Sequence, residues 1–159
     1  MQNTSTLVAF EASLNPPPSP VGNYVTAVRV GDFLFTSGML PLKDGQLQAT
    51  GALSKDDPEA ISRGQAAACL CVENALNVAK SHLGSLHCIE KVVKVTGFVS
   101  SEPGFTAQPQ VMNGASDRLV ALLGEDIGKH ARSAVGVASL PMNASVEVEL
   151  ILQVRAPEA

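Results

Sequence analysis

The sequence predicts an α+β fold: a mixed sheet of about four to six strands with two helices packed on one face. Three observations carry this. Residues 146–154 alternate strictly, with Val146, Val148, Leu150, Leu152 and Val154 on one face and Glu147, Glu149, Ile151 and Gln153 on the other. Two segments with helical spacing each end at a glycine, Gly84 and Gly124. Short β-branched runs surround them, so the order reads ββ-α-β-α-β-β. A chain of 159 residues, 45% apolar and 16% charged, suits one globular domain. With no Trp and one Tyr, the core must come from Val, Leu, Ile and Ala, supplemented by contacts between copies.

In order along the chain, residues 1–20 read as an extended N-terminal arm, because Pro16, Pro17, Pro18 and Pro20 deny it regular hydrogen bonding. Residues 21–156 then read as a single domain. Residues 25–30 and 33–37 form two strands joined by the Gly31-Asp32 turn. Residues 42–52 are a loop containing Asp44-Gly45. Asp57 is the N-cap of the first helix, with Pro58 at its first position, and the spacing runs through Ile61, Ala68, Val72, Leu76 and Ala79. Residues 92–99 are a strand, 111–123 the second helix, 134–138 a strand closed by Leu140-Pro141, and 146–154 the last strand.

Charge and composition remove several function classes. The net charge is −4 and the basic residues are scattered, with Lys91 and Lys94 the densest group, which argues against nucleic acid. Cys69, Cys71 and Cys88 cannot all pair within one chain, so they read as free thiols in a reducing, cytoplasmic compartment. Neither a signal peptide nor a run long enough to span a membrane is visible. There is no phosphate loop, dinucleotide fingerprint or nucleophile elbow. His82, His87 and His130 lack the spacing of metal ligands, so no metal is expected. His82 suits a helix C-terminus, and His130, beside Arg132, reads as a loop surface position, with lining a site as the alternative.

What remains is Arg132, where a loop enters a strand, and Glu147 on the last strand. A guanidinium fork matches a carboxylate. The spacing alone allows a plain salt bridge from Arg132 to Glu147 or Glu149, or a clamp for a ligand carboxylate.

The segment Ala131-Arg132-Ser133-Ala134-Val135-Gly136-Val137, then Leu140-Pro141, then Val146-Glu147-Val148-Glu149, resembles the C-terminal signature of the Rid family, the YjgF type often labelled endoribonuclease. Gly22-Asn23-Tyr24 is similar to that family's Gly-Pro-Tyr, and Phe35-Thr36-Ser37-Gly38 to its Thr-Ser-Gly strand end. The resemblance covers residues 15–155, and residues 111–117 followed by His130-Ala131-Arg132-Ser133 resemble a less-studied branch.

The resemblance implies a chorismate-mutase-like fold in which three copies bring their sheets around a central barrel, leaving clefts between subunits. It implies hydrolytic deamination of reactive 2-imino or enamino acids to 2-keto acid and ammonia, without a cofactor. On this footing Arg132 clamps the substrate carboxylate and Glu147 positions water. Tyr24, Thr36, Ser37, Gly38, Asn113 and Ala134 line the cleft. The chain departs from the family at Ala134, where Cys is usual, at Met39, where Gln often stands, and at Asn23 in place of Pro. The alternative is a non-catalytic binding module for small carboxylate metabolites in the same clefts. Both readings need Arg132; only the first needs Glu147.

Overall fold

The computed structural model describes residues 4–17, 20 and 22–155. Its elements in order are α1 (Thr4–Ser13), β1 (Ala27–Val30), β2 (Phe33–Thr36), β3 (Leu42–Lys43), β4 (Gln46–Leu47), α2 (Ala60–Leu83), β5 (Ile89–Ser100), α3 (Gln108–Leu123), α4 (Glu125–Gly128), β6 (Ala131–Val137) and β7 (Val146–Val154). Five strands make one sheet in the order β1-β2-β7-β5-β6. All its neighbours are antiparallel except β5 and β6, so the sheet is mixed as the sequence predicts. A parallel pair needs a crossover, and α3 supplies it between β5 and β6. β3 and β4 pair separately around Asp44-Gly45, within the segment read as a loop. Strands of two residues carry no alternation for a sequence reading to find.

The helices α2 and α3 cover one face. The buried residues of β7 are the alternating set Val146, Val148, Leu150, Leu152 and Val154, and Val92, Val95 and Val99 of β5 join them. Of the residues that mark the α2 period, Ala68, Val72, Leu76 and Ala79 are fully buried, while Ile61 in the first turn is exposed. Where α2 and α3 cross, Gly114 stands against the backbone carbonyl of Gln65, and a Cβ there would overlap it. The other face is open: Glu147, Glu149 and Gln153 of β7 lie on it, beside exposed apolar side chains of β1, β2 and β6. Val28, Val30, Phe33, Phe35 and Val135 on it are between 40 and 61% exposed, and nothing among the described residues covers them.

The N-terminal segment differs from expectation. The arm read as extended over residues 1–20 is helical at Thr4–Ser13. Leu7 and Phe10 are buried, and the Arg118 guanidinium lies 5.4 Å from the centre of the Phe10 ring. The Glu11 carboxylate accepts from Ser85 Oγ at 3.1 Å and from the Leu86 amide, while Lys80 Nζ donates to the Glu11 carbonyl at 2.7 Å. Pro16, Pro17 and Pro20 do follow in non-helical chain; Pro18 lies outside the described residues. Tertiary docking therefore fixes α1, whose own sequence has almost no amphipathic bias.

Other boundaries move by a few residues. α2 begins at Ala60 and not directly after Asp57, although the Asp57 carboxylate still accepts the Glu59 amide at 2.9 Å and pairs with Arg63 at 2.9 Å. β6 starts at Ala131, so Arg132 lies inside the strand and not at its entrance.

Candidate functional site

Arg132 lies opposite the buried Val95 in the parallel β5–β6 register, so its side chain rises on the helix-covered face at the β6 edge. There it meets α3. Its Nη1 donates to Asn113 Oδ1 at 3.1 Å and to Ser116 Oγ at 3.0 Å, and its Nη2 to the Pro109 carbonyl at 3.0 Å. Positions 109, 113 and 116 recur at helical spacing, so one stripe of α3 presents all three acceptors. Every acceptor is neutral. Three of the five guanidinium N–H groups are engaged, which leaves Nε–H and one Nη2–H for a ligand. Ala134, two residues along the same face, is half-buried against the core.

No ion pair joins Arg132 to Glu147 or Glu149 among the described residues. The plain salt bridge allowed by the spacing is not formed, for a geometric reason. Glu147 lies opposite Phe98, on the face of the sheet away from the helices, while Arg132 rises on the helix side. The sheet itself separates them.

Glu147 forms a second cluster with the end of β2. The chain leaves Thr36, passes Ser37 and Gly38, and rejoins β7 through a reciprocal Met39–Val148 pair at 2.8 and 3.0 Å. Gly38 packs on the Glu147 side chain so closely that a Cβ would lie 2.7 Å from its carboxyl carbon. Burial, and then the neighbouring Glu149 charge, push the Glu147 carboxyl above its ordinary range. Ser37 Oγ donates to the Val25 carbonyl at 2.7 Å, which ties the β2 end to the segment carrying Tyr24. Tyr24 is 53% exposed on the surface. Thr36 is placed differently from the rest: it is buried, and its Oγ1 accepts the Leu150 amide at 2.9 Å, so its hydroxyl serves the β2–β7 junction and not an open cleft.

The structure thus gathers Arg132, Asn113 and Ala134 in one place, and Ser37, Gly38 and Glu147 in another. The sequence reading missed Ser116 and the Pro109 carbonyl, and it ranked a loop surface position for His130 above a place in the site. His130 is half-buried, with Nδ1 2.6 Å from the Gly128 carbonyl and Nε2 3.0 Å from Ser116 Oγ. The signal available was the i, i+4, i+7 spacing of Pro109, Asn113 and Ser116 on one helix. The cysteines are free, and burial pushes the Cys71 thiol well up, which leaves it unreactive. Among the described residues no His, Cys, Asp or Glu cluster is placed to hold a metal, and no helix is long and apolar enough to cross a membrane.

The same architecture is found in known proteins. A protein named TCP17 from Trypanosoma cruzi is 42% identical over 135 residues, 85% of this chain and 83% of its own. The crystal structure of Atu1372, a protein of unknown function from Agrobacterium tumefaciens, superposes with a TM-score of 0.84 at 39% identity, covering 96% of each chain. E. coli TdcF, solved with bound serine, superposes with a TM-score of 0.62 at 26% identity over 89% of this chain and 94% of its own. A family model described as Endoribonuclease L-PSP matches residues 15–154, which spans everything after α1. With 140 residues of a mixed-sheet α+β fold matched from end to end, this chain belongs to the Endoribonuclease L-PSP family, the Rid or YjgF family.

Proposed function

We propose that this chain is a hydrolytic deaminase of 2-imino or enamino acids, acting as a homotrimer. The observation that carries the reading is Arg132, a guanidinium braced by three neutral acceptors, with no carboxylate partner and two donors left over among the described residues. Such a group is pre-organised for an incoming carboxylate. TdcF holds serine, whose carboxylate is the kind of group Arg132 would take here. In the reaction, water adds to the imine carbon, the C–N bond breaks, and nitrogen leaves as ammonia to give the 2-keto acid. A carboxyl with a raised pKa, as Glu147 has, is suited to accept a proton from that water near neutrality.

Arg132 and Glu147 rise on opposite faces of one sheet, so one chain cannot present both to a single small substrate. A neighbouring copy must bring its own Glu147 cluster to the β6 edge. The exposed apolar side chains of Val28, Val30, Phe33 and Phe35 on β1 and β2, with Val135 on β6, give copies a reason to associate through their sheets. A trimer closing these faces around a central barrel would produce three such clefts. Met39 and Ala134 make the cleft less polar than the family pattern, which narrows the substrate toward apolar side chains. RNA cleavage, which the family description raises, is opposed by the net charge of −4 and the scattered basic residues.

The test generates imino acids in situ with an amino-acid oxidase and traps the remaining imine with semicarbazide. Wild type should accelerate imine loss, and Arg132→Ala and Glu147→Ala should not while remaining folded. An inactive wild type that still binds 2-keto acids through Arg132 would instead establish the non-catalytic binding module. A solution mass of one subunit would remove the shared cleft.

A further inference from the structure

The hydrogen-bond directions around Arg132 are fixed by the chemistry of each partner. Arg132 Nη1 can only donate, so Ser116 Oγ accepts from it at 3.0 Å. The Gly128 carbonyl can only accept, so His130 carries its proton on Nδ1, 2.6 Å away. In the neutral ring Nε2 is then an acceptor, and the Ser116 hydroxyl donates to it at 3.0 Å. A single directed chain runs from Arg132 through Ser116 and His130 to the Gly128 carbonyl. Without the ring, the Ser116 hydroxyl would be free to rotate and its lone pairs would not be held toward the guanidinium.

We infer that Ser116 and His130 are positioning residues for Arg132, the neutral imidazole orienting the serine hydroxyl that fixes the plane of the guanidinium. The inference rests on the proposed function for what Arg132 binds, but not for how Arg132 is held. The surroundings keep the ring in the required state. Burial lowers the His130 pKa, and the Arg132 and Lys91 charges lower it further, against the Gly128 carbonyl, which favours the charged form. Around the ring, β6 contributes Arg132, β5 contributes Lys91, α3 contributes the Ser116 hydroxyl and α4 the Gly128 carbonyl. Protonating His130 turns Nε2 into a donor. The Ser116 hydroxyl then loses the acceptor that orients its proton, and Arg132 gains a second cation beside it. The clamp is intact above the His130 pKa and loosens as pH falls through it.

The experiment uses the full chain as wild type, Ser116→Ala, His130→Ala and His130→Gln, whose amide oxygen replaces the accepting Nε2. Pyruvate binding is measured by calorimetry from pH 5 to 8, imine hydrolysis is followed beside it, and the Arg132 side-chain 15N resonances are recorded by NMR. Ser116→Ala and His130→Ala should weaken pyruvate binding about tenfold, the loss of one fixed hydrogen bond to a charged group. KM should rise with kcat little changed. His130→Gln should recover most of the affinity and abolish its acid-side decline. Wild-type-like affinity in Ser116→Ala and His130→Ala, or no recovery in a folded His130→Gln, overturns the inference. If wild type neither binds pyruvate nor hydrolyses imines, the proposed function has failed, and the NMR decides the inference separately. Slowly rotating, resolved Nη signals that collapse in Ser116→Ala uphold it, and signals that persist there refute it.

Discussion

Gly38→Ala isolates the placement of the Glu147 carboxylate. The alanine Cβ would overlap Glu147 Oε1 and stand 2.7 Å from the carboxyl carbon and 3.0 Å from Cγ. Ordinary carbon contacts are about 3.5–4.0 Å, so the carboxyl carbon must retreat by about 0.8 Å or more. Gly38 is not in the left-handed backbone region, so alanine fits its backbone, and the atoms that must yield belong to a movable side chain. Stability should therefore change by no more than about 1–2 kcal/mol. A misplacement near 1 Å in a group that orients a reactant costs about a hundredfold in rate. Under the deaminase reading, kcat for imine hydrolysis in the semicarbazide-trap assay should fall by about that factor, with KM nearly unchanged. A folded Gly38→Ala protein with wild-type kcat would refute the assignment of Glu147, as held against Gly38, to the reacting water.

Arg132→Lys keeps the charge, but one ammonium cannot serve Pro109, Asn113, Ser116 and a ligand carboxylate together. Pyruvate affinity by calorimetry should fall between about tenfold and a hundredfold, the range for one charge-assisted hydrogen bond. Glu147→Gln should stabilise the fold near neutral pH. The folded carboxyl holds its proton to higher pH than the unfolded one, so wild-type stability declines as pH rises through the folded value, and the variant's advantage, read from urea midpoints, should open from about pH 4 upward. Equal midpoints at pH 4 and pH 8 would contradict the raised pKa. Leu7→Ala empties a fully buried site under α1 and should cost about 2–5 kcal/mol in urea unfolding, whereas a loss below about 1 kcal/mol would show that α1 contributes little.

Parts of the site are legible in the chain itself. Arg132 and Glu147 stand out by residue type and by their likeness to a family signature, Asn113 by that likeness alone, and the structure gives each a definite setting. Ser116 and His130 are not legible as partners of Arg132. They lie 14 residues apart across α4, and only the packing of α3 over the β6 edge brings them within 3.0 Å. Thr36 shows the opposite case: the motif points to a cleft, but the strand's period turns its hydroxyl inward to the Leu150 amide.

By itself the sequence determined the α+β class, the two covering helices and the buried face of β7, because hydrophobic period is a local property that each element carries in its own residues. Tertiary structure alone decided three other matters. It folded Thr4–Ser13 into a helix, because the Glu11 anchors and the Arg118 contact come from α2, the turn after it, and α3. It joined Arg132 to α3 and not to Glu147, because the register of β6 on β5 and of β7 on β5 sets which face each side chain takes. It also left one sheet face open, with exposed apolar side chains beside the β7 carboxylates, because two helices of this length cover only one side, and what a sheet does with its second side depends on contacts beyond a single chain.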